Sequence, residues 1–124
     1  MLLRSFWKTA IWVVIITTLS LIPSGGDDIP FIAIPHFDKA VHFIFYGVFS
    51  FLLLQGLDLY KPDFGIARLI FLTILIAVVY GGLMELVQLV AVPTRHGDLF
   101  DLLSNAGGCV FGVVFYRIYS FRFL

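Results

Sequence analysis

The side chains best suited to chemistry in this sequence fall into three short groups. The first group is Asp38, His42 and Tyr46, spaced four residues apart. On an α-helix this spacing places all three on one face, as a stripe about 12 Å long. A carboxylate, an imidazole and a phenol in one stripe can accept, donate and transfer protons at neighbouring positions. The stripe therefore predicts a polar surface in which His42 acts as a proton donor or acceptor.

Two further groups lie later in the chain and show the same helical periodicity. Glu85 and Gln88 are one turn apart, and the last group comprises Asp98, Asp101 and Asn105. A carboxylate at the centre of a membrane-inserting helix costs roughly 2.5–3.5 kcal/mol on insertion scales. So many titratable groups exceed what helix packing requires. We therefore interpret the three groups as a functional site rather than as a structural hydrogen-bond network.

The chemistry of each residue suggests its role in such a site. Glu85, His42 and Asp101 are the candidates for catalysis, as general acids or bases. Arg95 and Lys39 would form a clamp for an anionic group such as a phosphate. The remaining candidates would bind the substrate or ligand through hydrogen bonds: Asp38, Tyr46, Gln88, Asp98 and Asn105.

Metal and cofactor chemistry is not expected from this sequence. His42 and His96 do not have the H-x-x-x-H or paired Cys/His spacing of zinc sites, and no G-x-S-x-G motif of serine hydrolases occurs. A single cysteine, Cys109, excludes an intrachain disulfide. Because Cys109 lies in an apolar run, we interpret it as a packing residue.

Four apolar runs must position these polar groups, over residues 5–22, 40–59, 66–92 and 99–119. Hydrophobic residues make up 60% of the chain and charged residues 13%, against about 45–50% and 25% in soluble domains. Each run can supply the roughly 20 apolar residues that a membrane-spanning helix needs. Strands of a membrane barrel would alternate polar and apolar residues, and these runs do not. The sequence predicts an all-α, four-helix transmembrane bundle that forms one domain over residues 1–124.

Basic residues are divided unequally between the two sides of such a bundle. Lys39 and Arg95 fall on one side, and six basic residues fall on the other: Arg4, Lys8, Lys61, Arg68, Arg117 and Arg122. By the positive-inside rule, the side with six is cytoplasmic. Both termini are therefore expected in the cytoplasm, with the three polar groups in the outer half of the bilayer. The first run is expected to be retained as a helix, since the residues before Gly25 lack a small-x-small signal-peptide cleavage site.

This orientation gives a direct prediction. A reporter fused after Leu124 should be active only in the cytoplasm, because six of the eight Lys and Arg residues lie on the side of the termini. Activity of that reporter in the periplasm would contradict the assignment.

The fourth run also carries a stripe of small residues. Asn105, Gly108 and Gly112 fall within about 40° of Asp101 when the run is drawn as a helix. Gly108-x-x-x-Gly112 is the spacing that lets a neighbouring helix approach closely. We expect this contact to be made within one molecule rather than between two copies.

Together these motifs resemble the VanZ-like family of small bacterial membrane proteins. The resemblance spans about 75 of the 124 residues and rests on Asp38-Lys39-x-x-His42-Phe43-x-x-Tyr46-Gly47, Glu85-x-x-Gln88 and Arg95-x-x-Asp98-x-x-Asp101-x-x-x-Asn105-x-x-Gly108-x-x-x-Gly112. It implies a four-helix protein of the bacterial cytoplasmic membrane, with a polar site at the residues named above. The namesake of the family is associated with resistance to teicoplanin, and the resemblance does not imply that activity here.

Two functions remain open at this point. The site would bind a lipid, glycolipid or other cell-envelope head group, or it would belong to a membrane-embedded hydrolase or transferase acting on an amphipathic envelope substrate. Transport ranks third, because the other halves of the helices carry little polar character beyond Gln55 and Thr73. The net charge of zero gives no reason to expect a nucleic acid. The expected partner is a membrane lipid or an amphipathic envelope molecule.

Overall fold

Four helices make up the part of the chain that the structure describes. The computed structural model describes residues 2–21, 37–91 and 99–122. Its helices are α1 (Leu2–Leu21), α2 (Phe37–Tyr60), α3 (Ile66–Ala91) and α4 (Leu99–Arg122). Each contains a span of 19 to 22 residues that is long and apolar enough to cross a membrane. The predicted all-α architecture with four membrane-spanning helices is confirmed, and within these ranges no strand occurs.

The outer surface of the bundle is apolar, and several polar side chains lie inside it. Phe71 and Leu83 of α3, for example, are more than half exposed. Among the side chains that the structure describes, the buried polar ones are Thr9, Ser20, His42, Ser50, Thr73 and Asn105. Lipid solvates such an exterior, whereas polar groups within a membrane face the interior of the bundle. The distribution of side chains therefore suits a bilayer.

Helix α2 is the centre of the bundle and packs against the other three helices. Its most extensive contact is with α4, and α1 packs against α2 and α3. One buried cluster joins α1, α2, α3 and α4 through Ile16, Tyr46, Phe49, Leu53, Ala77 and Cys109. A second cluster joins α2, α3 and α4 through Leu54, Leu69, Val113 and Tyr116.

A connection of only five residues joins α2 to α3. It contains a 3-10 turn at Pro62–Phe64, and Gly65 follows with φ of 79°. Proline disfavours helical backbone at the preceding residue, and glycine adopts positive φ at little cost. The Lys61 amide closes α2 by donating to the Leu57 carbonyl at 2.8 Å. Because the connection is so short, α2 and α3 are antiparallel neighbours, and the start of α2 lies beside the end of α3.

Helices α2 and α4 approach each other through glycines. A Cβ atom on Gly108 would collide with the Phe43 carbonyl oxygen, and one on Gly112 would collide with the Gly47 carbonyl oxygen and the Ser50 hydroxyl. A Cβ atom on Gly47 would itself lie 3.3 Å from the Gly108 carbonyl oxygen. The predicted small-residue contact of α4 is thus made within the molecule, and α2 supplies its own glycine to it.

A buried hydroxyl ties the same two helices together. Ser50 of α2 is fully buried, and its Oγ donates to the carbonyl oxygens of Gly47 at 3.2 Å and Cys109 at 3.0 Å. The second bond crosses from α2 to α4 beside the glycine contact. Cys109 is 1% exposed and packs in the first cluster, in agreement with the packing role expected from the sequence.

The end of the bundle that contains the last turns of α2 and α4 is more polar than the sequence predicted. The Tyr116 hydroxyl of α4 donates to a carboxylate oxygen of Asp58, in the last turns of α2, at 2.7 Å. Thr73 satisfies its hydroxyl within α3 by donating to the Leu69 carbonyl at 2.8 Å. The halves of the helices away from the predicted site were expected to carry little polar character beyond Gln55 and Thr73. This expectation was wrong, because Asp58 and Tyr116 form a hydrogen bond when α2 and α4 pack side by side.

The contribution of this pair can be measured. Tyr116→Phe should lower the free energy of unfolding by about 1–3 kcal/mol, because the partly buried Asp58 carboxylate would lose its donor. The measurement is thermal or denaturant unfolding in detergent. In a chain that already carries Asp58→Ala, the same substitution should cost almost nothing. Equal costs in both backgrounds would show that the hydrogen bond contributes nothing to stability.

Candidate functional site

Side chains from α2 and α4 meet over a glycine of α3. A Cβ atom on Gly81 would lie 3.3 Å from Cε1 of Tyr46 and 3.4 Å from Nδ2 of Asn105. Tyr46 is 3% exposed and Asn105 4% exposed. An alanine at position 81 would touch both side chains, which would need to shift by only a few tenths of an ångström. Helices α2, α3 and α4 thus meet closely at Gly81.

Two ionisable residues lie one helical turn from this meeting point. His42 precedes Tyr46 by four residues on α2 and is buried, and Glu85 follows Gly81 by four residues on α3 and is half-buried. Because α2 and α3 are antiparallel, both residues lie toward the same end of the bundle. Glu85 is close enough to Tyr46 to interact with it electrostatically. We call His42, Tyr46, Glu85 and Asn105 the polar cluster.

Asn105 has an acceptor that no described residue satisfies. Its Oδ1 is buried and has no hydrogen-bond partner among the parts of the chain that the structure describes. A buried polar atom left in this state costs about 1–3 kcal/mol. A hydroxyl, an ammonium or a water molecule that donated a proton to Oδ1 would recover that energy. The cluster therefore favours a partner that donates hydrogen bonds.

Aromatic residues support the cluster on the side away from His42 and Glu85. The ring of Tyr80 lies 6.0 Å from that of Tyr46 and 5.3 Å from that of Phe49, between centroids. The Tyr80 hydroxyl also shares a 2.7 Å hydrogen bond with the Thr17 hydroxyl, which connects α1 to the cluster. Tyr80 was not among the residues predicted to form the site. Its position directly before Gly81 could have indicated that it lies near the site. Its hydrogen bond to Thr17, however, is seen only when α1 is packed against α3.

Helix α1 has a second polar contact near this level. The indole Nε1 of Trp12 donates to the Phe45 carbonyl oxygen of α2 at 2.9 Å, and the two rings pack edge to face. Phe45 directly precedes Tyr46. Helix α1 thus packs as part of the bundle and helps to fix the backbone of α2 directly before Tyr46.

The other residues of the predicted site are described only in part. Lys39 lies in the first turn of α2, is half-buried and interacts with neighbouring groups. Three others belong to the helices, although their side chains lie outside the described residues: Asp38, Gln88 and Asp101. Asp38 comes one turn before His42 in α2, and Asp101 comes one turn before Asn105 in α4. Arg95 and Asp98 lie in residues 92–98, which the structure does not describe.

The structure thus brings together four of the predicted residues, namely the polar cluster. Their role in binding or catalysis stays a prediction. Among the side chains that are described, no group of three metal-ligating residues comes together. The polar cluster combines a carboxylate, an imidazole, a phenol and an amide.

The fold and the polar cluster together indicate the class of protein, and a comparison with known protein families indicates the family. Four helices able to cross a membrane, with polar side chains buried between three of them, describe a multi-pass membrane protein. A family model described as VanZ/LLP1 matches residues 1–120. The chain therefore belongs to the VanZ/LLP1 family, and the resemblance seen in its motifs is confirmed. No curated protein and no solved structure matches the chain.

Proposed function

We propose that the polar cluster binds the head group of a lipid, a glycolipid or another amphipathic cell-envelope molecule in the outer half of the bilayer. The observation that carries this proposal is the buried Oδ1 of Asn105, which has no donor among the described residues. It lies beside Tyr46 at the meeting point of three helices. An amphipathic molecule that enters between the helices supplies the missing donor.

The chemistry of the cluster narrows the kind of head group. Asn105 Oδ1 and the Glu85 carboxylate both accept hydrogen bonds, so the matching groups are hydroxyls or an ammonium. The negative charge of Glu85 disfavours a phosphate at the same depth. Lys39, one turn before His42, and Arg95 are the cations expected from the sequence to bind a phosphate nearer the membrane surface. A head group with hydroxyls or an ammonium supplies donors to the polar cluster, and a phosphate in the same head group would bind these cations.

The depth of the cluster makes these contacts strong. Tyr46 lies seven residues beyond Lys39, where the span of α2 begins, which is roughly 10 Å along the helix. At that depth the surroundings are apolar, and hydrogen bonds are electrostatically stronger than in water. A ligand with several donors therefore gains both affinity and selectivity from the cluster.

Titration of the purified protein with matched lipids tests the proposal. A diglycosyl diacylglycerol and phosphatidylethanolamine should bind more tightly than phosphatidylcholine with the same acyl chains, because the choline group has no hydrogen-bond donor. Asn105→Leu should weaken this binding by up to about tenfold, which corresponds to one hydrogen bond. Thr73→Val is the matched control, because Thr73 is also buried but bonds within its own helix.

The outcomes separate the possible functions. Equal affinity for all head groups, or an equal loss in Asn105→Leu and Thr73→Val, would contradict the proposal. Product analysis in the same samples addresses the enzymatic alternative from the sequence. Turnover of a bound lipid that Glu85→Gln abolishes would assign a hydrolase or transferase to this cluster instead of binding alone.

A further inference from the structure

An apolar groove lies between α2 and α4, apart from the polar cluster. Its volume is about 290 Å³, and all its lining residues belong to these two helices, including Phe43, Gly47, Phe51, Phe111, Gly112 and Phe115. No member of the polar cluster lines it. Phe111 is 57% exposed and Phe115 54% exposed. The groove therefore opens on the outer surface of the bundle, which faces lipid in a membrane.

The glycine contact of α2 and α4 forms part of this groove. Gly47 and Gly112 belong to its lining, and there the two backbones approach so closely that a Cβ atom on Gly112 would collide with the Gly47 carbonyl oxygen. Aromatic pairs across the two helices border the groove at both ends. The ring centroids are 5.6 Å apart for Phe43 and Phe111, and 5.7 Å apart for Phe51 and Phe115. The result is a slot that runs along the helices.

The size of the groove indicates which kind of molecule fits into it. A helix with its side chains is about 10–12 Å across, whereas a groove of about 290 Å³ that extends about 12 Å along α2 averages only about 24 Å² in cross-section. An apolar cavity of about 150 Å³ holds one benzene, so a single side chain from a partner would leave much of the slot empty. A flexible hydrocarbon chain can follow its full length. From Phe43 to Phe51 that length is about 12 Å, close to the thickness of one hydrocarbon leaflet, half of roughly 30 Å.

We propose that this groove holds one acyl chain of a membrane lipid. Gly47 directly follows Tyr46, so this part of the groove lies at the depth of the polar cluster, and the groove extends from there toward the middle of the bilayer. An unfilled groove would forfeit van der Waals contacts along its walls, and an acyl chain restores them. The proposal does not rest on head-group binding, because the groove and the polar cluster share no residue.

Photolabelling with a phosphatidylcholine that carries a diazirine on its acyl chain tests this inference. Phosphatidylcholine is chosen because its head group offers no hydrogen-bond donor to the polar cluster. With the probe at low molar ratio in detergent, labelling should be saturable, should be competed by unlabelled lipid and should concentrate on Ile44, Val48 and Phe115. Labelling spread evenly over the exposed apolar residues, without saturation, would overturn the proposal.

Two variants and one control make the test specific. Val48→Trp fills the slot from its wall and should lower labelling about fivefold or more, as the cost of overpacking predicts. Phe115→Ala removes one aromatic border without adding volume and should lower labelling as well. Val79→Trp changes a 53% exposed residue of α3, away from the groove, and should have no effect. An equal effect of Val48→Trp and Val79→Trp would contradict an assignment to the groove.

The same material distinguishes a lipid from a second copy of the chain. Ile44→Cys places a thiol at the groove, and the native Cys109 is buried. A disulfide-linked dimer through position 44 would assign the groove to a second copy and overturn the proposal, whereas a monomer supports it. Asn105→Leu should leave groove labelling unchanged. If that variant and the wild type bind all head groups equally while the labelling persists, only the head-group proposal fails.

Discussion

Gly112→Leu is expected to prevent assembly of the bundle or to destabilise it by about 3 kcal/mol or more, at or beyond the upper end of overpacking costs. Even a Cβ atom at this position would collide with the Gly47 carbonyl oxygen and the Ser50 hydroxyl. The carbonyl belongs to the backbone of α2, so no change of rotamer relieves the contact. Helices α2 and α4 would have to separate, and the Ser50 bond to the Cys109 carbonyl would be lost with them. Gly108→Leu should behave similarly, because it meets the Phe43 carbonyl oxygen.

Thermal unfolding in detergent measures this effect, and Gly82→Leu is the matched control. Gly82 is also helical, but a Cβ atom there meets nothing within 4 Å. That variant should unfold at the wild-type temperature or above it, since glycine is a poor helix former. Val114→Leu, at a residue that is 50% exposed, should also be neutral. If Gly112→Leu melts where Gly82→Leu does, the glycine contact does not hold the bundle together.

Local sequence patterns were enough to predict the four helices and the faces that carry their polar residues. Apolar runs of sufficient length specify spanning helices, and helical periodicity places Asp38, His42 and Tyr46 on one face. The same periodicity placed Gly108 and Gly112 on a packing face of α4. These features depend on residues within one helix, so they can be read before the bundle is assembled.

The pairing of residues between helices could not be predicted in the same way. It depends on the relative height and crossing of two helices, which no pattern within one helix specifies. Gly47 belongs to the motif that begins at Asp38. Its contact with Gly108 and Gly112, however, is seen only when α2 and α4 are packed together. Helical periodicity places Val113 and Val114, the two residues after Gly112, off the glycine face. Val113 is nevertheless buried, at 6% exposed, in the second cluster, so only Val114 serves as a neutral control.

The residues missed at the candidate site have the same explanation. Tyr80 reaches Tyr46 and Thr17 because α1, α2 and α3 converge there. The unsatisfied Oδ1 of Asn105 is likewise a property of the assembled interior. Sequence alone identified Asn105 as a polar residue on the correct face. The state of its amide oxygen, which carries the proposed function, depends on what the neighbouring helices offer.

Glu85→Gln is expected to abolish head-group binding without destabilising the protein. If the polar cluster only braced the fold, removing the charge would lower stability along with any function. A binding site behaves differently, because it holds polar groups in apolar surroundings at a cost to stability. Replacing the half-buried Glu85 carboxylate with a neutral amide removes part of that cost. The melting temperature should therefore stay the same or rise, and Asp101→Asn is expected to follow the same pattern.

Arg95→Ala examines the predicted anion clamp near the membrane surface. This variant should weaken the binding of a lipid with an anionic phosphate. Added salt should reproduce part of the loss if the site opens to the outer surface, because salt screens exposed charges. The neutral diglycosyl lipid serves as the control and should lose little affinity in the same variant. Equal losses for both lipids would contradict the clamp.

Paired thermal melts and lipid titrations on the same preparations of wild type, Glu85→Gln and Asn105→Leu test the central claim most directly. The preferred lipid from the head-group series is the ligand, and Thr73→Val is the control. A functional site predicts that Glu85→Gln abolishes binding and that Asn105→Leu weakens it by up to about tenfold, while the melting temperatures of both variants equal or exceed that of the wild type. Parallel losses of melting temperature and binding in these variants would show that the polar cluster is a structural brace, and would contradict the proposed function.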